Sequence, residues 1–161
     1  MVEGYRIGVA ADRDALTFAS RLRAADLEEI SAAAGHSPER ALTRSLAFST
    51  HAWSAYDLDG RPLAIWGVGP LALTAGKGCP WLLATDAFDA LPRRLVARMS
   101  RRLLADVLAL YPRLQNHVDA RHARAVRWLR WLGFTLEPPV VWGVEQRLFH
   151  RFSFDQEKGP A

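Results

Sequence analysis

Ten arginines lie between Leu91 and Trp131, at positions 93, 94, 98, 101, 102, 113, 121, 124, 127 and 130, against only Asp106 and Asp119. The window carries +8 and leaves −4 to the rest of a chain whose formal charge is +4. Such an asymmetry attracts anions, whether phosphate, nucleic acid or an acidic protein face. Nineteen of the 21 basic residues are arginine, which weakens any argument from arginine over lysine. Trp128 and Trp131 stand beside Arg127 and Arg130. That mixture can stack on and neutralise single-stranded nucleic acid. The same spacing also fits core tryptophans under a solvated arginine stripe, or a basic face docked on an acidic partner. His117, Asp119 and His122 are metal-ligand types, but their spacing crosses an expected strand-to-helix junction and no thiolate joins them. No metal site is expected. Cys79 stands alone, so there is neither an internal disulfide nor a CxxC pair. A Gly-x-Ser-x-Gly elbow and a P-loop are both absent from the sequence.

The elements that must position these groups follow from spacing. Tyr5 to Ala10 reads as a strand, and Asp12 to Ala34 as two short helices stopping at Gly35. Ser37-Pro38 opens a third helix to about Ser49, with Ala41, Leu42, Ser45, Leu46 and Phe48 inward. Asp59-Gly60 joins Ala52 to Leu58 and Pro62 to Gly69 as a hairpin. After a glycine-rich loop, Pro80 to Phe88 is the next strand. A long helix capped by Asp89 then runs to about Leu110, with Leu95, Met99, Leu103 and Val107 in one row and Arg94, Arg98, Arg101 and Arg102 opposite. Leu114 to Val118 is a strand. Asp119 caps a second basic helix to Leu132, stopped by Gly133, and Phe134 to Trp142 and Gln146 to Phe154 are the closing strands. The expected fold is α/β (α+β), a mixed sheet flanked by helices in the order β-α-α-α-β-β-β-α-β-α-β-β, with one domain over 1–155 and a loose tail at 156–161.

This order, with the segment from Asn116 to Phe134, resembles the GNAT superfamily of acetyl-CoA-dependent N-acetyltransferases. The family's helix pattern Asn-x-x-Ala-x-x-x-Tyr-x-x-x-Gly-Phe falls on His122, Ala125, Leu129 and Gly133-Phe134. Two polar positions are thereby changed. Trp81-Leu-Leu-Ala-Thr-Asp86, Asn116 to Asp119, Arg127-Trp128-Leu129 and Phe149-His-Arg-Phe152 are similar to small phage GNAT-like proteins, including the internal virion protein A group of short-tailed phages.

The resemblance implies acetyl-CoA, with its pyrophosphate cradled by a Gln/Arg-x-x-Gly-x-Gly/Ala loop. Thr85 to Arg94 stands there without a glycine, and Pro92 has no N–H. Arg93 and Arg94 are the residues left to meet a CoA pyrophosphate, against the commoner outcome in which Asp89 caps the helix and the two arginines are a solvated face. Asp86 is the candidate base, against an ordinary role as a loop or capping aspartate, and His122 could titrate usefully. Leu129 cannot serve as the acid that the family's tyrosine provides.

Three readings follow. The favoured one is a GNAT-fold phage protein with a degenerate acetyl-CoA site, serving as a virion-assembly or internal virion component, with virion or assembly proteins as partners. The others are a divergent active acetyltransferase and a nucleic-acid-binding module. In the last, Arg98, Arg101, Arg102, Arg121, Arg124, Arg127 and Arg130 form the basic surface. At 161 residues and 50% hydrophobic the chain suits one globular domain. Its longest uncharged run, Pro62 to Gly76, is broken by Gly67, Gly69 and Pro70 and is too short for a membrane span. The charged N-terminus lacks a signal-peptide core. The expected location is a host bacterial cytoplasm, or the virion.

Overall fold

The computed structural model describes residues 4–71 and 76–158. Strand β1 (Tyr5–Val9) leads into three helices, α1 (Asp12–Ala19), α2 (Ala24–Ala34) and α3 (Pro38–Phe48). Gly35 ends α2 at φ 66°, a left-handed position that costs glycine nothing. The Ser37 hydroxyl accepts the Arg40 N–H at 3.2 Å and caps α3. The hairpin β2 (His51–Asp57) and β3 (Pro62–Pro70) forms around Gly60, whose φ is 84°. Then come β4 (Lys77–Ala84), α4 (Asp86–Asp89), α5 (Arg93–Leu110), β5 (Arg113–Asp119) and α6 (Ala123–Leu132). Strands β6 (Thr135–Leu136), β7 (Val140–Trp142) and β8 (Arg147–Asp155) close the chain.

All eight strands join one sheet in the order β1-β2-β3-β4-β5-β8-β6, with β7 also paired to β8. Every pairing is antiparallel except β4 with β5. Strand β3 is buried along all but its last residue because both faces are covered. Ile65 and Leu83 pack against α1 and α3 with Phe18 and Leu42. Trp66, Val68, Leu114 and Val118 pack on the other face against Met99, Leu103 and Val107 of α5 and Val126 and Leu129 of α6. The apolar row expected along the long helix is therefore its inward face, and Arg94, Arg98, Arg101 and Arg102 are exposed.

Five local expectations are corrected. The strand expected to reach Phe88 ends at Ala84, and Asp86–Asp89 turn into a short helix. Asp89 does not cap the long helix: Pro92 occupies that position while the Asp89 carboxylate pairs with Arg23 and Arg124. Likewise His122, not Asp119, caps α6, because Arg121 occupies the Asp119 carboxylate. The strand expected over 134–142 is split into β6 and β7 around Pro138-Pro139, which lack the N–H that a ladder needs. Phe48, expected inward, is 45% exposed, its ring lying across the bare backbone of Gly69. Of the expected tail, Gln156–Lys158 form a 3-10 turn and 159–161 lie outside the described residues. So do residues 72–75 of the expected glycine-rich loop.

Candidate functional site

Strands β4 and β5 pair only at Lys77↔Arg113 and Gly78↔Leu114. The ladder stops there for a local reason. In a strand the N–H and C=O of one residue point the same way, and the Pro80 carbonyl points at β5, where Asn116 Nδ2 donates to it at 2.7 Å. Proline offers β5 no donor at that rung, so a side-chain amide stands in for the ladder and the strands part beyond it.

The wide end of the gap is closed by α2 and the residue before it. Asp26 Oδ2 accepts the Ala84 N–H at 2.8 Å, and the Arg23 N–H donates to the Ala84 carbonyl at 2.9 Å. On the opposite bank Glu29 Oε2 accepts the Asp119 N–H at 3.0 Å. The edge groups of two separated strands are thus satisfied by one short segment, as buried backbone polar groups must be. By the same alternation the N–H and C=O of Leu82, between Pro80 and Ala84, point into the gap.

Around these contacts lies a buried charge cluster. The Arg23 guanidinium grips Asp26 with two bonds of 3.0 Å and reaches Asp89 Oδ1 at 3.0 Å. Arg124 holds the other Asp89 oxygen at 2.9 Å. His122 Nδ1 accepts the Ala125 N–H at 3.4 Å, so Nε2 carries the ring proton and donates to Asp26 Oδ1 at 2.9 Å. Burial opposes the charge on Asp26, but the His122 hydrogen bond and the Arg23 guanidinium outweigh it and hold the carboxyl below its ordinary range. Burial acts against Arg23 as well, and Asp26 and Asp89 more than reverse it. Glu29 differs: burial pushes it up to about 7, and the Asp119 N–H and nearby His122 only partly offset that.

A cleft of about 600 Å³ crosses the sheet at this gap. On the α2–α3 side it is lined by Glu29, Ile30, Ala41 and Ser45, and on the other by Leu91, Val96, Ala97, Ala125 and Trp128. Arg93, Arg124 and Arg127 stand exposed along its rim. One wall depends on Gly67, where a Cβ would fall 2.9 Å from the Trp81 indole nitrogen, itself bonded to Ser49 Oγ at 2.7 Å.

Of the residues singled out from sequence, Arg93, Arg124, Arg127, His117, His122, Trp128 and Trp131 line the cleft. Asp86 is exposed at the start of α4 and Arg94 is exposed beside Arg93, both outside its lining. Arg98, Arg101, Arg102 and Arg130 lie outward on α5 and α6, with the Arg101 guanidinium 5.3 Å from the Trp131 ring centroid. Trp131 is 50% exposed, whereas Trp128 is half-buried with its indole N–H on Ser100 Oγ at 2.8 Å. Arg121 is occupied by Asp119. His117 stacks on Trp142, apart from His122, and among the described residues no group of three or more His, Cys, Asp or Glu could hold a metal. Sequence reading missed Arg23, Asp26 and Glu29. Their one signal was charge recurring at every third position, 23, 26 and 29, along one side of α2.

No family model matches the chain, and no curated protein matches it. Many solved structures do. A probable GNAT-family acetyltransferase from Chromobacterium violaceum aligns with a TM-score of 0.72 at 17% identity, covering 100% of this chain and 87% of that one. An aminoglycoside N(6')acetyltransferase from Legionella pneumophila gives 0.69 at 13%, covering 98% and 95%. A putative acetyltransferase from Salmonella typhimurium, solved with its cofactor acetyl-CoA, gives 0.69 at 12%, covering 98% and 97%. At these identities the likeness establishes the fold, which is the GNAT fold.

Proposed function

We propose that the protein is an acyl-CoA-dependent N-acyltransferase in which Glu29 is the general base. The observation that carries this is a cleft crossing the sheet where β4 and β5 part, with a carboxyl at its edge pushed up to about 7. The residues present fit the coenzyme by their chemistry. Three guanidiniums, Arg93, Arg124 and Arg127, would meet its phosphates in place of loop amides, and Leu91, Val96, Ala97 and Ala125 suit its apolar arm. The backbone of Leu82 offers that arm an amide partner. Bound there, the coenzyme would supply an acyl thioester for the amine to attack, and its leaving thiolate would be protonated by solvent, since Leu129 has no proton to give.

Glu29 accepts the proton that the attacking amine gives up and passes it to solvent. A base with a pKa near the working pH suits that task. Asp26 cannot share it, being held ionised by Arg23 and His122; it fixes the start of α2 against β4 instead. Asp86, exposed and outside the cleft lining, gives up to Glu29 the role that sequence suggested for it. Thiol release from acetyl-CoA, measured across a panel of primary amines, tests the reading. Turnover that Glu29→Gln lowers at least 100-fold while coenzyme binding persists is expected. Absence of both turnover and coenzyme binding would refute it.

A second reading, a virion-assembly or internal virion component of a tailed phage, is favoured by a separate observation. Arg98, Arg101, Arg102 and Arg130 form a cationic face outside the cleft lining, bordered by Trp131 under the Arg101 guanidinium. It suits an acidic virion partner or single-stranded nucleic acid. Mass spectrometry of purified virions and assembly intermediates tests the first partner, and a steep fall of affinity with salt tests the second. This second reading goes with the cytoplasm of a host bacterium or the virion as its location. Among the described residues no helix is long and apolar enough to cross a membrane.

A further inference from the structure

Resting on the acyl-transfer reading, we propose that the acyl group carried by the coenzyme is a short alkyl chain longer than acetyl, seated in a second cavity beneath the narrow end of the β4–β5 gap. This cavity of about 50 Å³ lies between the sheet and the helices α5 and α6. It continues the cleft. Pro80, Trp81 and Leu82 of β4, Trp128 and Leu129 of α6, and Phe152 of β8 line both. Along α5 the cleft is lined by Arg93, Val96 and Ala97, and the inner cavity by Leu103, Leu104 and Val107, the same helical stripe about two turns further on.

The geometry of the gap directs the chain there. Helix α5 starts beyond Ala84, at the wide end, and leads into Arg113, which pairs with Lys77 at the narrow end. An arm descending from Arg93 past Val96 and Ala97 to the backbone of Leu82 therefore travels from the wide end toward the narrow one. Glu29 holds the wide end through the Asp119 N–H, and the attacking amine must lie beside it. The space left for the alkyl group is the inner cavity, which meets the cleft at Pro80 and Leu82. The wall shared by the two is fixed. Ser100 Oγ accepts the Trp128 indole N–H at 2.8 Å and donates to the Val96 carbonyl at 2.6 Å, tying α6 to α5 between the two groups of lining residues.

The lining selects hydrocarbon. It has no charged side chain, and three indoles are its only polar ones. Trp81 and Trp128 are bonded to Ser49 and Ser100, which leaves the buried Trp66 N–H as the one without a partner among the described residues. A trapped water needs two or more polar partners, so the cavity suits an alkyl group instead. Each water-sized group takes roughly 10–15 Å³ of such space, so about 50 Å³ accommodates about three or four. The alkyl carbons of a butanoyl group fit, and those of a hexanoyl group exceed the room.

The test is calorimetric titration of coenzyme A and its acetyl, butanoyl and hexanoyl esters into the full chain. Butanoyl-CoA is expected to bind about tenfold tighter than acetyl-CoA, the gain from burying two further methylenes, and hexanoyl-CoA no tighter than butanoyl-CoA. Leu104 and Leu132 are half-buried and line the inner cavity but not the cleft. Leu104→Trp, which fills the cavity, should bring butanoyl-CoA down to the affinity of acetyl-CoA. Leu132→Ala, which enlarges it, should make hexanoyl-CoA the tightest of the three. Both variants should leave acetyl-CoA affinity unchanged, and a thermal melt confirms that each is folded. Equal affinities for the three esters, a steady rise through hexanoyl-CoA in the parent, or variants that move all three alike would overturn the cavity's role. Failure of coenzyme A and every ester to bind would strike the acyl-transfer reading and the cavity with it, whereas coenzyme A binding with indifference to chain length strikes the cavity alone.

Discussion

Replacing Glu29 with glutamine should make the protein more stable at pH 8 while removing its proposed activity. Glutamine keeps an oxygen for the Asp119 N–H, so the change isolates the charge. The folded-state pKa of Glu29 is raised from an ordinary 4.5 to about 7, with burial the largest cause. Below about 4.5 both folded and unfolded chains hold the proton and the group is neutral to stability. As pH rises toward 7 the unfolded chain releases that proton while the fold retains it, so unfolding becomes progressively easier. At 1.36 kcal/mol per pH unit, the wild type loses about 3 kcal/mol through this group by pH 8. With a urea slope of about 2 kcal/mol/M for a chain this size, the unfolding midpoints of Glu29→Gln and wild type should coincide near pH 4.5 and differ by about 1.5 M at pH 8. Urea titrations at pH 4.5, 6, 7 and 8, followed by far-ultraviolet circular dichroism, read this directly. Parallel pH profiles for the two proteins, with no divergence between 4.5 and 8, would refute the account of Glu29 as a strained base.

Asp26 has the opposite sign: its pKa is lowered from 3.8, so its contribution is present above that value and is lost as pH falls below it. Asp26→Asn should cost about 3–5 kcal/mol at pH 7, because Arg23 stays buried with only Asp89 to balance it, and should flatten the acid limb of the stability profile. Gly143→Ala should cost at least about 1 kcal/mol by thermal melt, since φ is 79° and a Cβ would fall 2.5 Å from the Ala32 carbonyl oxygen, where the β7–β8 turn docks on α2. The double change Arg93→Ala with Arg127→Ala should weaken coenzyme A binding at least tenfold by calorimetry and leave the melting temperature within a few degrees, because both side chains are exposed. An unchanged affinity would remove the arginine rim from the coenzyme site.

Local signals in the sequence read true wherever the structure used them locally. Asp59-Gly60 gave the hairpin because Asp57 accepts the Asp59 and Arg61 N–H groups within the same turn. Gly133 stopped α6 at φ 101°, and Ser37 capped α3. Asp89 and Asp119 looked equally local, each preceding a helix, yet both carboxylates are taken by arginines. Asp89 answers the buried Arg23 guanidinium, whose unpaired charge would cost more than a cap worth about 1 kcal/mol, and Asp119 is taken by Arg121 two residues on. The candidate site was less legible for the same reason. Asp26 meets Ala84 across 58 positions and His122 across 96, while Glu29 meets Asp119 across 90. No spacing rule within a helix reports partners at such separations, and a pattern of apolar residues says nothing about where two strands part.

The parting itself ties the fold to the chemistry. Opening a parallel pair exposes a backbone N–H and C=O on each bank, and leaving buried groups of that kind unpaired costs about 1–3 kcal/mol apiece. Here Asn116 bridges the narrow end, and the wide end is met by Arg23, Asp26 and Glu29 from the start of α2. Asp26 can do this as an ion because Arg23 and His122 surround it, whereas Glu29 has only a backbone N–H and so stays near neutrality. Two carboxyls one helical turn apart, performing the same structural task, are thereby pushed in opposite directions. The one without a guanidinium retains its proton to about pH 7, and that is the property a base needs. Moving an arginine beside Glu29 would stabilise the gap and remove the base, so stability and reactivity compete at this position.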